Sequence, residues 1–272
     1  MDFFKQLQNL LEIKLPKDKC KAFKTFYEQY LKEEMTFNHE SVSVVFSEPS
    51  CKEYCILESD TTKVKRKKLG SDRGKAIFLH AIAHIEYSAI DLAIDAAYRF
   101  KNMPKAFYDD WLEVASDEVR HFEMLEKLLD EVGSFYGEIP VYYGLFEASV
   151  KTQSLLERMA IIPRYFEAGG LDVTPVMIER FSALDRDDKV TNIIKALEII
   201  LDEEEEHVLK GDRWFKYACD EEGLDYEVYF DIVNKFYPDA FPRTKTINVK
   251  ARQAVGFSCA ELKKISTEVQ CQ

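Results

Sequence analysis

The chain of 272 residues predicts a mainly α-helical fold, a four-helix bundle with extra N-terminal and C-terminal segments. Three observations predict it. Apolar residues recur at steps of three and four through long stretches after residue 75; start and stop signals cut those stretches into four long segments, with a long connection between the second and third; and 46% hydrophobic with 13% aromatic residues is enough to bury a sizeable core. The expected organisation is an N-terminal extension over 1–72, a bundle over 73–220, and a C-terminal helix and tail over 221–272.

In chain order, short helices are expected near Phe3–Leu11 and Cys20–Glu34. SVSVVF and CKEYCIL, between residues 41 and 57, read as strands or extended segments, because β-branched and aromatic residues favour a pleated backbone. From Gly74 to Phe100 the stripe Phe78, Ile82, Ile85, Ala89, Leu92, Ala96 advances by four and three, which is one helical face. Pro104 fits a first helical turn, and Gly133 fits the stop of the helix that follows. A third helix is expected over Leu145–Ala168, cut off by Gly169 and Gly170, with Thr174 and Pro175 capping a short helix to Leu184. A fourth runs from Asp188 to about Cys219, and one more covers Tyr226–Phe236.

The informative pattern is chemical. Glu118 and His121 are three apart on the second long helix, and Glu204 and His207 are three apart on the fourth, so each pair leaves its helix from one face on adjacent turns. Glu86 lies beside the apolar stripe of the first, and Glu167 follows the apolar run of the third. An isolated buried carboxylate is costly unless a cation compensates it. Glu86, Glu118, His121, Glu167, Glu204 and His207 together supply four carboxylates and two imidazoles, the side-chain set of a bundle-core di-iron or di-manganese site. The hard, mixed donors suit iron best, with manganese or a mixed pair as alternatives. The competing structural reading pairs Glu86 and Glu167 with Arg120 or Arg164 as salt bridges, or leaves DEEEEHV as a solvated acidic face. His84, two residues before Glu86 and so rotated roughly 200° from it, is expected in packing or behind the ligands.

A net charge of −12 argues against a general nucleic-acid binder. The basic run Lys63–Lys68 keeps open a phosphate grip, and with it tRNA as a partner. No run of eighteen apolar residues and no signal peptide is seen, so no membrane partner and a cytoplasmic location are expected. The six cysteines read as reduced, mostly structural thiols.

From Gly70 onward the blocks LGSDRGKAIFLHAIAHIEYSAIDLAIDAAYRF, FYDDWLEVASDEVRHFEML, GLFEA, RMAIIPRYFEAGGLDVTPVMIERF, LDEEEEHVLKGDRWF and NVKARQAVGF resemble those of the DUF455 family, an uncharacterised bacterial branch of the ferritin-like superfamily. The resemblance implies a ferritin-like bundle and a dinuclear metal site on the six residues above. It departs at Gly169, where the family has arginine, and at Tyr142 and Tyr143, where a histidine is common. Asp117 and Glu203 resemble the outer carboxylates that accept a ligand histidine's remaining N–H, and Arg120 reads as a counter-charge beside them. Two Glu-x-x-His motifs resemble the oxidases and oxygenases of the superfamily rather than its storage proteins. The resulting expectation is a di-iron or iron/manganese oxidoreductase that activates dioxygen or peroxide to oxidise or hydroxylate a small molecule, served by an electron donor. The alternatives are metal sequestration with peroxide detoxification, and an RNA-modifying hydroxylase. A homodimer is compatible with the sequence.

Overall fold

The structure is a computed structural model that describes residues 1–41, 43–58, 68–243 and 246–271. The fold is mainly helical, as an all-α bundle requires. Contacts divide the chain into two compact units, 1–150 with 187–192, and 151–186 with 193–272. Lys63 to Lys67 of the basic run lie outside the described residues.

The first unit is built on a helical hairpin, α3 (Asp72–Arg99) and α4 (Lys105–Glu131). Ser71 caps α3 through the Gly74 N–H, satisfying a donor that the first turn leaves without a partner. Pro104 sits at the entrance to α4, and Gly133, at φ +74, ends it in the left-handed conformation that glycine adopts without cost. Ahead of the hairpin, α1 (Phe3–Glu12) and α2 (Pro16–Leu31) pack onto it. Phe3 is fully buried against Phe4, Phe26, Tyr30, Phe37 and Tyr108. A buried ion pair joins Lys19 of α2 to Asp91 of α3; Ser50 accepts from the Lys19 ammonium at 2.7 Å, donates to Asp91 at 2.6 Å and lies 3.0 Å from the Tyr87 hydroxyl. This network fastens the segment around residue 50 to the hairpin, since each buried charge is met by a partner.

The expected strands over 41–57 largely fail to form. The described residues of SVSVVF are irregular, Ser50–Glu53 is a 3₁₀ turn, and only β1 (Leu57–Glu58) pairs, in parallel, with β2 (Val141–Tyr142). With no further described strand beside it, the alternating pattern has no sheet to join. Helix α3 is apolar and long enough to cross a membrane by composition, but 72% of that window is buried inside the protein, as in a core helix.

In the second unit the third long helix departs from expectation. Helix α5 (Gly144–Lys151), in the first unit, ends early, and a new start at Ser154, closed by a capping box with Glu157, opens α6 (Leu155–Ile161). The chain then widens into a π segment, Ile162–Glu167, and continues as α7 (Ala168–Ser182) without stopping at Gly169 or Gly170 and with Pro175 inside it. Pro163 offers no N–H to the i→i−4 ladder, so a local π widening absorbs the defect that would otherwise kink the helix. Helix α8 (Asp188–Glu222) runs as expected from sequence. The unit is completed by α9 (Val228–Phe236), α10 (Val249–Ala254) and α11 (Cys259–Ile265).

Arg164, on the π segment, is fully buried. Its guanidinium pairs with Asp212 at 3.1 Å and Glu261 at 2.8 Å, and is walled by the rings of Phe215, Tyr229 and Phe257 at 4.6–4.7 Å. Arg252 grips Asp172 through two hydrogen bonds, at 2.9 and 2.7 Å, tying α10 to α7. Cys259 and Cys271 form a disulfide, against the expectation of reduced thiols throughout, while Cys20, Cys51, Cys55 and Cys219 are free and buried.

Candidate metal centre

In the first unit, helical spacing places Glu118 and His121 on one side of α4, and the hairpin brings Glu86 of α3 to meet them. His121 Nδ1 lies 3.0 Å from Glu86 Oε2 and 3.5 Å from Glu118 Oε2, and one ligand atom from each of the three falls within 4.8 Å of the others. All three are buried, His121 completely. Burial, followed by the charge on Glu118, drives the Glu86 carboxyl above its ordinary range. Burial alone would depress the His121 imidazole, but hydrogen bonds to Glu118 and Glu86 outweigh it and raise that group. Two carboxylates enclosed this closely hold a positive charge between them, a proton when nothing else is present. A divalent cation would supply that charge while taking the lone pairs of all three groups.

In the second unit the same motif recurs on α8. His207 is fully buried and its Nδ1 is 3.4 Å from Glu204 Oε2. Gly211 lies on the same face, one turn beyond His207, and meets the π segment: a Cβ there would stand 2.1 Å from the Pro163 Cβ. Seven residues further along the third helix, Gly170 faces Glu204, where a Cβ would lie 3.7 Å from Glu204 Oε1. The two helices therefore run antiparallel with Pro163 opposite Gly211 and Gly170 opposite Glu204. Counting four residues inward from Pro163 and four from Gly211 puts Glu167 level with His207. Of the two glycines read as stops, Gly170 lies beside Glu204, whereas a Cβ at Gly169 would meet nothing within 4 Å.

The remaining expected residues are placed as follows. Arg120 is half-exposed and donates to Asp117 at 2.8 Å. Glu203 is half-buried on α8. His84 is buried, with its Nδ1 2.8 Å from the Tyr136 hydroxyl. Arg164, a candidate salt-bridge partner for the lone glutamates, is instead committed to Asp212 and Glu261. Sequence reasoning passed over Tyr136 and the π segment. Proline followed by glutamate four residues later inside an apolar helix is the signal that was available for the latter.

Fold and site together define a mainly helical protein carrying buried carboxylate–imidazole groups able to hold a metal. The chain belongs to the DUF455 family, described as a protein of unknown function, which it matches over residues 12–263. An uncharacterised protein of Haemophilus influenzae is 33% identical over 274 residues, covering 96% of this chain and 92% of the relative. No solved structure matches the chain.

Proposed function

We propose that the protein is a metal-dependent oxidoreductase in which Glu86, Glu118, His121, Glu167, Glu204 and His207 hold two iron ions, or iron with manganese. The observation that carries this reading is the buried trio of Glu86, Glu118 and His121, two carboxylates and an imidazole enclosed within 4.8 Å. Four carboxylate charges balance two divalent ions, and oxygen and imidazole donors without sulfur fit iron and manganese. Such metals, when bound, supply redox chemistry that activates dioxygen or peroxide for oxidation or hydroxylation of an organic substrate.

The chain's own residues do the rest. His121 and His207, each fixed beside a glutamate three residues away, present their lone pairs in set directions. Burial of the trio excludes water and strengthens every charge interaction inside it. Glu86 and His121, each of which favours its proton in this enclosure, give protons up when cations enter.

Metal analysis of protein from cells supplied with iron and manganese tests the reading. About two ions per chain are expected in the wild type, with a large loss in the double variant Glu118→Ala, His121→Ala. Protein free of both metals, or a variant with unchanged content, refutes it. Ferrous iron accumulating as a retained mineral would instead make the protein a sequestering one.

A further inference from the structure

A second cluster lies in the first unit, apart from the carboxylates. In the 3₁₀ turn at Ser50–Glu53 the backbone closes on itself, with the Tyr54 and Cys55 N–H groups both donating to the Cys51 carbonyl at 2.8 Å. One turn of chain thus carries both thiols to the same side. Cys51, Cys55 and His84 are all buried, at 1%, 7% and 3% exposure, and one donor atom from each lies within 4.8 Å of the others. His84 leaves α3 about 200° around from Glu86, so the cluster sits on the opposite side of that helix from the carboxylate trio.

The ring of His84 is oriented for binding. Its Nδ1 is 2.8 Å from the Tyr136 hydroxyl, which leaves the buried Nε2 to the Cys51 thiol. Tyr136 in turn hydrogen-bonds Cys55. The consistent direction of donation runs from the His84 Nδ1–H to the Tyr136 oxygen, and from the Tyr136 O–H to the Cys55 sulfur. That arrangement points the Nε2 lone pair at the Cys51 thiol, and the hydrogen bonds that Cys55 receives from Cys51 and from Tyr136 favour its thiolate, as an outer partner does for a ligand. Tyr136 is held by His80, whose Nε2 accepts from the adjacent Gly137 N–H at 2.8 Å, and Ser50, next to Cys51, is held by Lys19 and Asp91.

We infer that Cys51, Cys55 and His84 bind a single thiophilic d¹⁰ metal ion, zinc(II) or copper(I), in a site separate from the carboxylate centre. Two thiolates and one imidazole are the donors such ions select over oxygen-rich sets. A tetrahedral ion with bonds of about 2.3 Å to sulfur and 2.0–2.1 Å to nitrogen spaces its donors by roughly 3.5–3.8 Å, so donors already within 4.8 Å of one another need at most about an ångström of closure on binding. Each thiol gives its proton to solvent as it ligates, and the bound ion clamps the 51–55 turn to α3.

Cobalt(II) is the probe, because sulfur-to-cobalt charge transfer gives a near-ultraviolet band that a carboxylate–histidine centre does not produce. Reduced, metal-stripped full-length protein titrated with cobalt(II) should develop that band to the saturating amplitude of one dithiolate-bound ion per chain, whether or not the carboxylate centre takes up cobalt as well. The band should vanish in Cys51→Ser and in Cys55→Ser and persist in Glu118→Ala and in Cys20→Ser. Zinc(II) bleaching the band identifies the zinc form, and bleaching by copper(I) alone the copper form. X-ray absorption of zinc- or copper(I)-loaded wild type should show two sulfur neighbours, and it decides the matter should the serine variants not fold. A wild type without the band, a band unchanged in both serine variants, or a metal with only nitrogen and oxygen neighbours overturns the inference.

Discussion

Replacing His80 by glutamine should remove a defined part of the protein's acid sensitivity. His80 is 1% exposed, and its Nε2 accepts from the backbone N–H groups of Gly137 at 2.8 Å and Ile139 at 3.4 Å. Protonating that nitrogen would set an N–H against two N–H donors in a buried space. Burial, which outweighs the attraction of Glu138, lowers the imidazole from 6.5 to about 4. A depressed histidine contributes stability that is present above the unfolded value of about 6.5, because below it the unfolded chain takes up a proton that the native one refuses. That stability is lost as pH falls from about 7 to about 4. A gap of roughly 2.5 units at 1.36 kcal/mol each is worth about 3 kcal/mol in full, of which about 2 kcal/mol is gone by pH 5. Urea unfolding of wild type and His80→Gln at pH 7.5 and pH 5 checks this. The glutamine oxygen keeps an acceptor for Gly137 but does not titrate, so the wild type should lose about 2 kcal/mol more than the variant over that interval. Equal losses, or a His80 resonance titrating near 6.5, would refute the reasoning.

Gly211→Ala forces a methyl to 2.1 Å from the Pro163 Cβ and should destabilise by about 1–3 kcal/mol in denaturant unfolding, whereas Gly169→Ala, with nothing within 4 Å, should be neutral or stabilise by up to about 1 kcal/mol. Arg164→Met leaves Asp212 and Glu261 without their buried cation and should cost about 3–5 kcal/mol, with hydrogen exchange accelerating first in α11, which Glu261 anchors.

Helices bounded by their own chemistry were legible in the sequence. Pro104 and Gly133 mark α4 because they act within one turn of the boundary, and the six carboxylate and imidazole positions stand out because their spacing repeats. What was not legible depends on partners distant in sequence. Gly169 and Gly170 look like a stop, yet α7 runs through both, with Gly170 packed beside Glu204 of another helix. The alternation in SVSVVF promises a strand, but pairing needs a neighbour, and among the described residues of 41–58 it is Leu57–Glu58 that found one, some eighty residues away at Val141–Tyr142. Cys51 and Cys55 lack the spacing of a metal knuckle, and their third member, His84, lies on another element.

The π segment shows how such distant constraints reach the chemistry. In an unbroken α-helix, Glu167 would sit a full 100° from where one inserted residue turns it, so the widening at Ile162–Glu167 sets which way that carboxylate leaves the third helix. Pro163 makes the widening tolerable by removing the N–H whose bond would be lost, and Gly211 lets α8 approach the widened turn. Together they put Glu167 level with His207 while Arg164, from the same segment, turns into the aromatic cage of Phe215, Tyr229 and Phe257. A change at Pro163 or Gly211 therefore acts on the position of a proposed ligand through helix register. Pro163→Ala, which restores the N–H and favours the regular ladder, should lower metal content more than it lowers stability. Metal content that tracks stability alone across Pro163→Ala, Gly211→Ala and Arg164→Met would reduce the π segment to a packing feature.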